Sequence, residues 1–332
     1  MNFINALGML METPALSENE AYIIMNSIGI GAFNEIQNAA LIIALGGKEV
    51  SLEEITGFRK ALLELSVPTN LESYDTIDLC GTGGDGKNTF NISTLASFVV
   101  AAAGYKVAKH GNYGVSSISG SSNVLEKLGY RFSNDVSKLE RELNAYNICF
   151  LHAPLFHPAL KNVANVRRHL GIKTIFNTLG PLVNPAKTKK QFVGVFNLKL
   201  ARLYHYLLQQ EGKDYVVVHS LDGYDEISLT GQVQYFSSKE ERLFTPEDIG
   251  FPVLSQESLF GGETVEEAAK IFLDIIEGKG TETQNNTVIA NAGAGIQCFE
   301  KEKTIQECIG IAREALTSGK SNLILKNLIK QQ

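Results

Sequence analysis

A glycine-rich turn constrains the fold of this chain more than any other feature of its sequence. Residues 78–94 read DLCGTGGDGKNTFNIST, with four glycines between positions 81 and 86. The apolar residues 76–80 before the turn predict a strand, and the alanine-rich residues 95–103 after it predict a helix. Glycines in a strand-to-helix turn let backbone N–H groups approach an anion and aim the helix N-terminus at it. The turn therefore predicts a binding site for a phosphorylated substrate.

Two commoner phosphate motifs look similar to this turn, and neither fits completely. The glycines at 81–86 match the dinucleotide pattern GxGxxG, but residues 101–106 (AAAGYK) lack the acidic residue that would bind the ribose. A P-loop would need Ser or Thr where Asn88 stands, and Asp85 would place a carboxylate inside its phosphate cradle. A glycine turn without a ligand is the third interpretation.

Composition and charge indicate the class of protein. The chain has 332 residues, is 44% hydrophobic and has a net charge of −6, which predicts about two domains and argues against a nucleic-acid surface or a polybasic membrane anchor. We expect a cytoplasmic enzyme, because the N-terminus lacks a cationic region and no apolar run reaches the ~18 residues of a membrane span. Without a C-x-x-C pair, Cys80, Cys149, Cys298 and Cys308 are expected to be buried apolar residues.

The pattern of apolar residues changes near residues 66–74. Residues 1–65 keep helical spacing, and Ser17 with Glu20 and Ser51 with Glu54 form predicted capping boxes. This segment is too small to enclose much core, so we expect it to pack on the rest of the chain or on a second copy. We predict a helical domain over 1–68, to which part of 155–185 returns.

From residue 74 onward, short β-branched runs alternate with helical stretches. The runs are 76–80, 106–109, 148–151, 192–196 and 215–219, and the helices lie near 93–103, 122–128, 135–145, 199–210 and 264–277. This alternation predicts an α/β domain over 74–332 with a mainly parallel central sheet. Its ligands are then expected at the C-terminal ends of the strands.

Two further loops at predicted strand ends carry polar side chains. Residues 109–122 (KHGNYGVSSISGSS) offer an ammonium, hydroxyls and backbone N–H groups beside the glycine turn, which suits several phosphate groups. After the strand 215–219, Asp225 and Glu226 offer the hard oxygen ligands that Mg²⁺ prefers. The competing interpretations are a flexible surface connection for the first loop and a solvated turn for the second.

Cationic and imidazole side chains give fewer indications. Arg167 and Arg168 lie on a predicted helix, where one of them could pair with the carboxylate of a second substrate; the alternative is an ordinary surface helix. His152 and His157 have no cysteine or carboxylate in register, so we interpret them as packing and hydrogen-bonding residues and not as metal ligands.

Six ordered motifs resemble those of the anthranilate phosphoribosyltransferase family. They are GTGGDG at 81–86, TFNIST at 89–94, KHGN at 109–112, the serine pair 116–117, TIFN with LGPLVNP over 174–185, and DGYDEI at 222–227. The resemblance covers nearly the whole chain and implies the two-domain plan shared with nucleoside phosphorylases. It implies transfer of phosphoribose from 5-phosphoribosyl diphosphate (PRPP) to the amine of anthranilate in tryptophan synthesis. It further implies two Mg²⁺ ions per subunit and a homodimer formed through the helical domains, with no nucleic-acid or membrane partner.

The resemblance also implies roles for individual residues. Ser93 and Glu226 would share one Mg²⁺, and Asp225 with Glu226 a second. Anthranilate would meet Gly81, Asn112 and Arg167. The residues that would bind PRPP are Gly81, Gly84, Asp85, Thr89, Asn91, Ile92, Ser93, Thr94, Lys109, His110, Gly111, Asn112, Tyr113, Gly114, Val115, Ser116, Ser117 and Ser121.

The chain departs from the usual family pattern at three places. Tyr113 stands where the family usually has Arg, and residues 120–123 read GSSN where it usually has GSAD. The usual NAAA run reads NAGA from Asn291, on a helix that we expect to be buried.

Two other functions remain open from the sequence. A pyrimidine nucleoside phosphorylase shares the two-domain plan by resemblance, but it would bind inorganic phosphate and would not need the Asp225–Glu226 pair. A noncatalytic nucleic-acid-binding paralogue should lose the glycine turn and acquire basic stripes, whereas this chain keeps the turn and is acidic. For the transferase, positioning dominates and no general base is assigned.

Overall fold

The computed structural model of the protein describes residues 1–114 and 118–331. Over these ranges the chain forms fifteen α-helices and seven β-strands. The helices are α1 (Phe3–Glu12), α2 (Glu18–Gly29), α3 (Glu35–Gly46), α4 (Leu52–Glu64), α5 (Ile92–Ala102), α6 (Ser121–Lys127), α7 (Val136–Tyr146), α8 (Ala153–Phe156), α9 (Lys161–Leu170), α10 (Ile175–Leu179), α11 (Leu198–Gln210), α12 (Val265–Ile276), α13 (Glu282–Gln297), α14 (Ile305–Thr317) and α15 (Lys320–Lys330). The strands are β1 (Thr76–Gly81), β2 (Lys106–Gly111), β3 (Ile148–His152), β4 (Lys190–Gly194), β5 (Asp214–Ser220), β6 (Val233–Ser237) and β7 (Glu241–Phe244).

One compact unit consists of helices only. It combines Met1–Thr69 with Ala153–Pro185 and so contains α1 to α4 and α8 to α10. The predicted capping boxes at Ser17 and Ser51 are confirmed, because each serine accepts a bond from the third helical residue and that residue's carboxylate binds back. Helices α2 and α4 approach closely at Gly57, where a Cβ atom would lie 2.2 Å from the Glu18 carbonyl oxygen.

The second unit, Asn70–His152 with Ala186–Gln332, is built on one sheet. Its strand order is β3-β2-β1-β4-β5-β6-β7. The first five strands in that order pair in parallel, whereas β6 and β7 pair antiparallel. The predicted fold class, a helical domain with a larger α/β domain on a mainly parallel sheet, is confirmed.

Element boundaries differ from the sequence predictions in a few places. The strand predicted at 192–196 begins earlier, at Lys190, because Lys190 and Gln191 pair with Asp214 and Tyr215 of β5 and with Ile77 and Asp78 of β1. Strands β6 and β7 and the last two helices, α14 and α15, were not among the predicted elements. The four cysteines are free and buried, as expected.

The core of the α/β unit positions the strand ends. Helix α5 is buried along almost its whole length, and Leu95, Phe98 and Val99 pack in a cluster with residues of β1, β2 and α13. Such burial fixes the loop before α5 at the C-terminal end of β1. Across the described ranges, no helix has the length and apolar character needed to cross a membrane.

Candidate phosphate and metal site

The glycine-rich turn forms the connection between β1 and α5. Gly83, Gly84 and Gly86 have φ angles of +63°, +73° and +76°. Residues other than glycine rarely adopt this left-handed region. Residues Ile92, Ser93 and Thr94 form the first turn of α5, so the glycine turn leads directly into a helix N-terminus. The local geometry is therefore the strand-turn-helix arrangement that the sequence predicts for anion binding.

The loop between β5 and β6, residues 221–232, carries the acidic pair and is called the acidic loop below. Asp225 is only 5% exposed, and its Oδ2 atom accepts a 2.6 Å hydrogen bond from the Gly83 backbone N–H. The Thr89 hydroxyl lies 3.5 Å from Glu226 Oε1. The acidic loop and the glycine turn are thus joined through both carboxylates.

Asp85 of the glycine turn completes a cluster of three carboxylates. Oxygen atoms of Asp85, Asp225 and Glu226 all lie within 4.8 Å of one another. Among residues 1–114 and 118–331, they form the one group of three or more His, Cys, Asp or Glu residues close enough to share a metal ion. The sequence analysis predicted Asp85 only as a PRPP contact. The signal that could have placed it beside a cation was the presence of a carboxylate inside a phosphate-binding turn.

Burial and mutual repulsion shift the protonation of this cluster. Burial, and then the neighbouring Asp85 charge, raise the pKa of Asp225 to about 7. Burial, followed by the charge of Asp225, holds the pKa of Glu226 well above its usual range. Burial also raises the pKa of Asp85. Negative charge is therefore costly here unless a cation neutralises it.

The donor set fits a hard divalent cation. All three groups supply carboxylate oxygens, which Mg²⁺ prefers. The Oε2 atom of Glu226 is buried and has no hydrogen-bond donor within the part of the chain that the structure describes. A buried carboxylate oxygen without a donor needs an explanation, and a bound cation supplies one. Ser93, the other predicted ligand, lies in the first turn of α5, and its hydroxyl is 3.4 Å from the Lys109 ammonium.

Two glycines on neighbouring strands create the space for Asp225. Gly81 of β1 and Gly194 of β4 are register partners at the C-terminal ends of their strands. A Cβ atom on Gly81 would lie 2.4 Å from Asp225 Oδ2, and one on Gly194 would lie 1.5 Å from the Asp225 carbonyl oxygen. Gly194 was not among the predicted site residues, because a glycine in a strand gives no sign of which loop will cross it.

The loop after β2, residues 112–120, is called the serine loop below. Its ends are held by Asn123, whose Oδ1 atom accepts hydrogen bonds from the Gly114 and Gly120 N–H groups at 2.9 and 3.0 Å. Asn91 donates to the Ser119 carbonyl oxygen at 3.1 Å and so joins this loop to the glycine turn. Asn112 is exposed, and the predicted contacts Val115, Ser116 and Ser117 lie outside the described residues.

The residues around the end of β2 are held by the protein itself. Lys109 is 2% exposed, and its ammonium donates to the Leu79 carbonyl oxygen; burial lowers its pKa. The His110 N–H donates to Asp78 Oδ1 at 3.1 Å. A Cβ atom on Gly111 would lie 2.4 Å from the Ser121 hydroxyl oxygen, so these two residues are packed together.

The residues at the first two departures from the family pattern make local contacts. Tyr113 is 40% exposed, and its hydroxyl donates to Glu126 Oε1 at 2.9 Å. Its ring meets His152 edge-on, with the ring centres 4.8 Å apart. His152 also accepts or donates a 2.8 Å bond with the Ser122 hydroxyl, as expected for a packing histidine. Asn291 is buried on α13, as predicted.

Arg167 and Arg168 lie in the last turn of α9, in the helical unit, and their surroundings differ. Arg167 is partly buried, its guanidinium carbon lies 5.2 Å from the centre of the Phe176 ring, and burial lowers its pKa. Arg168 is exposed and donates to Asn165 Oδ1 at 2.8 Å. A guanidinium held over an aromatic ring is preorganised to bind a carboxylate, so the geometry favours Arg167.

Comparison with known protein families divides the chain into two parts, and the boundary lies where the N-terminal helical segment ends. Residues 4–66 match the helical bundle domain of a glycosyl transferase family, and residues 73–322 match the a/b domain of that family.

Individual proteins are similar over nearly the full length. An anthranilate phosphoribosyltransferase from Flavobacterium psychrophilum is 54% identical over 98% of both chains. The crystal structure of anthranilate phosphoribosyltransferase from Thermus thermophilus has a TM-score of 0.91 and 34% identity and covers 98% of both chains. The enzyme from Saccharomyces cerevisiae in complex with PRPP and Mg has a TM-score of 0.88 and 25% identity, covering 99% of this chain and 98% of its own.

Proposed function

The chain belongs to the anthranilate phosphoribosyltransferase family, and we propose from that premise that it transfers the phosphoribosyl group of PRPP to the amine of anthranilate. The products are N-(5-phosphoribosyl)anthranilate and diphosphate, and the step belongs to tryptophan biosynthesis. The observation that carries the proposal is the glycine turn of left-handed residues, which lies directly beside the cluster of Asp85, Asp225 and Glu226.

PRPP is proposed to bind along the glycine turn, the start of α5 and the serine loop. The turn and α5 offer backbone N–H groups, and Thr89, Ser93 and Thr94 add hydroxyls. The buried Lys109 donates to the Leu79 carbonyl oxygen and lies 3.4 Å from the Ser93 hydroxyl. We therefore propose that Lys109 stabilises the backbone on either side of the glycine turn, which binds the phosphate.

Two Mg²⁺ ions per subunit are proposed, one on Ser93 and Glu226 and one on Asp225 and Glu226. The yeast relative is described in complex with PRPP and Mg, which supports use of this cation here. We add Asp85 to the residues that would hold the ions, because its carboxylate lies within 4.8 Å of the other two. When bound, Mg²⁺ would neutralise the charge that develops on the departing diphosphate.

The chain's own groups are suited to a reaction governed by positioning. Backbone N–H groups of the glycine turn can take up charge on the diphosphate, and no covalent enzyme intermediate is needed. The amine of anthranilate is weakly basic and arrives unprotonated, so a strong general base is not needed. We therefore assign no residue as acid or base.

Arg167 is proposed to bind the anthranilate carboxylate, with Asn112 and Gly81 as further contacts. Anthranilate is a planar benzoate, and a guanidinium matches its carboxylate with two parallel hydrogen bonds. Phe176 supports this assignment because it holds the guanidinium carbon 5.2 Å from its ring centre.

Substitution of the two arginines tests this assignment. A charged hydrogen bond contributes about 1.5–3 kcal/mol, so Arg167→Ala should raise the KM for anthranilate roughly 10- to 150-fold and leave the Kd for PRPP nearly unchanged. Arg168→Ala is the matched control, because that side chain is exposed and bonded to Asn165. If Arg168→Ala raises the KM for anthranilate and Arg167→Ala does not, the assignment of the two arginines is reversed. If neither variant raises it, α9 does not contact anthranilate.

The reaction itself is tested by following anthranilate fluorescence. We expect the fluorescence to fall when PRPP and Mg²⁺ are added together, with one diphosphate released for each anthranilate consumed. Phosphorolysis of a pyrimidine nucleoside, with release of free base and no use of anthranilate, would instead support the nucleoside phosphorylase alternative.

A homodimer formed through the helical unit is also proposed. Ile4 and Met11 of α1 and Ile36 and Ile43 of α3 are exposed, and each pair is two helical turns apart on one side of its helix. Exposed apolar stripes of this kind mark interaction surfaces. Sedimentation of the wild type should give a dimer, and Ile36→Glu, at a position 83% exposed, should yield a monomer. The cytoplasmic location stays a prediction.

A further inference from the structure

A residue outside the predicted site fixes the backbone of the acidic loop. Asn291 lies on α13 and is 0% exposed. Its Oδ1 atom accepts a 3.0 Å hydrogen bond from the Ile227 N–H, and its Nδ2 atom donates to the Ile227 carbonyl oxygen at 2.9 Å. Nδ2 also donates its other hydrogen to the Thr287 carbonyl oxygen, at 2.8 Å. One side-chain amide therefore pairs both polar backbone groups of a single loop residue.

Only a primary amide of this length makes that arrangement. An apolar side chain at position 291 would leave the buried N–H and carbonyl of Ile227 without their partner, and an aspartate could accept but not donate. The chain thus uses a buried, hydrogen-bonded polar group on α13, which specifies one loop position.

Ile227, the residue that Asn291 binds, immediately follows Glu226. On the other side, the Ser220 hydroxyl donates to the Glu226 carbonyl oxygen at 2.6 Å. The peptide group between Glu226 and Ile227 is consequently held from β5 and from α13. One residue earlier, the Asp225 carbonyl oxygen lies so close to Gly194 that position 194 has no room for a Cβ atom.

Such restraint has a physical purpose in a cluster of like charges. Carboxylates within 4.8 Å repel one another, and a free loop would relax to separate them. A cation site needs its oxygens held together before the ion arrives. Partners of metal ligands commonly perform this task and change metal affinity when removed.

We propose that Asn291 is a positioning residue for the divalent-cation site. It acts through Ile227 to keep the Glu226 and Asp225 carboxylates at the separation that a cation requires. The inference rests on the proposed use of Mg²⁺ by these carboxylates.

Direct cation binding tests the proposal without relying on turnover. Free Mn²⁺ is measured by its electron paramagnetic resonance signal as it is added to the protein in the presence of PRPP, well below the melting temperature. Asn291→Ala should weaken Mn²⁺ binding about 10- to 100-fold. The Mg²⁺ concentration for half-maximal rate should rise in parallel, whereas the KM for anthranilate should not change.

Thr287→Val is the matched control. Thr287 is buried one turn earlier on α13, and its hydroxyl donates at 2.9 Å to the Thr283 carbonyl oxygen within the same helix. This variant should lose stability but keep the wild-type Mn²⁺ affinity. If Asn291→Ala does not fold, Asn291→Ser replaces it, because serine can bond within its helix but is too short to reach Ile227.

The outcomes separate this inference from the function on which it rests. Wild-type Mn²⁺ affinity in folded Asn291→Ala or Asn291→Ser would overturn the role of Asn291 and leave the metal role intact. An equal loss of affinity in Thr287→Val would reduce the effect to general instability and overturn it as well. Failure of the wild type itself to bind Mn²⁺ would overturn the metal role and the positioning role together.

Discussion

The acidic loop and the serine loop follow parallel strands of the same sheet, yet they differ in how much of their support comes from distant parts of the chain. The acidic loop takes its partners from other elements: Gly83 in the glycine turn, Ser220 at the end of β5 and Asn291 on α13. The described part of the serine loop is bound by Asn123 of the following helix α6 and by one more distant residue, Asn91.

The difference follows from charge. Two adjacent carboxylates facing a third must be kept together against repulsion, and two fully buried residues, Ser220 and Asn291, bind the backbone of the loop that carries them. The serine loop (NYGVSSISG) contains no charged residue and has no such repulsion, and its exposed residues Asn112 and Tyr113 can remain in contact with solvent. Within the described residues, support from buried side chains is therefore concentrated where the cation is proposed to bind.

The largest effect should come from removing charge in the acidic loop. We expect activity to vanish with excess chelator and return with Mg²⁺. Glu226→Gln should lower kcat by about 100- to 1,000-fold, since a metal ion supplies several kcal/mol of charge stabilisation. Asp225→Asn should lose less, because Asp225 Oδ2 accepts the Gly83 N–H and an amide oxygen can keep that bond. Undiminished turnover in excess chelator would contradict the metal role.

A medium effect should distinguish the surroundings of the two loops at two strand glycines, Gly194 of β4 and Gly111 of β2. Gly194→Ala places a Cβ atom 1.5 Å from the Asp225 backbone oxygen, so the acidic loop must move. Overpacking of this kind costs about 1–3 kcal/mol of unfolding free energy, which urea denaturation measures. Gly111→Ala meets only the Ser121 side chain, whose hydroxyl can rotate away, and should cost less. An equal loss in both variants would contradict the proposed difference in how tightly the two strand ends are packed.

The smallest effect is expected at Tyr113. Tyr113→Phe loses one exposed hydrogen bond to Glu126 and keeps the edge-on contact of its ring with His152. The unfolding free energy should fall by no more than about 0.5–1 kcal/mol, and the KM for PRPP should stay near its wild-type value. A large rise in that KM would show that the hydroxyl takes over the task of the arginine usual in the family.

The sequence predicted the fold and much of the candidate site for identifiable reasons. The alternation of strands and helices fixes a parallel sheet, and its C-terminal edge brings the glycine turn near Asp225. Family membership is confirmed by the full-length similarity to anthranilate phosphoribosyltransferases. These inferences depend on local patterns, which a single sequence contains.

Other features depend on contacts between distant positions. Asn291 lies 64 residues along the chain from Ile227, and only the folded sheet and α13 bring it and Gly194 against the acidic loop. Asp85 was predicted to touch PRPP, but its proximity to Glu226 required the observed turn geometry. Strands β6 and β7 were missed because an antiparallel hairpin does not follow the strand-helix alternation.

The most direct test of the metal assignment is a crystal structure of the protein with PRPP and Mn²⁺, using the anomalous scattering of manganese. We expect an anomalous peak bounded by the carboxylates of Asp85, Asp225 and Glu226, and its loss in Glu226→Gln. A well-occupied PRPP molecule with no manganese peak at these three carboxylates would contradict the account.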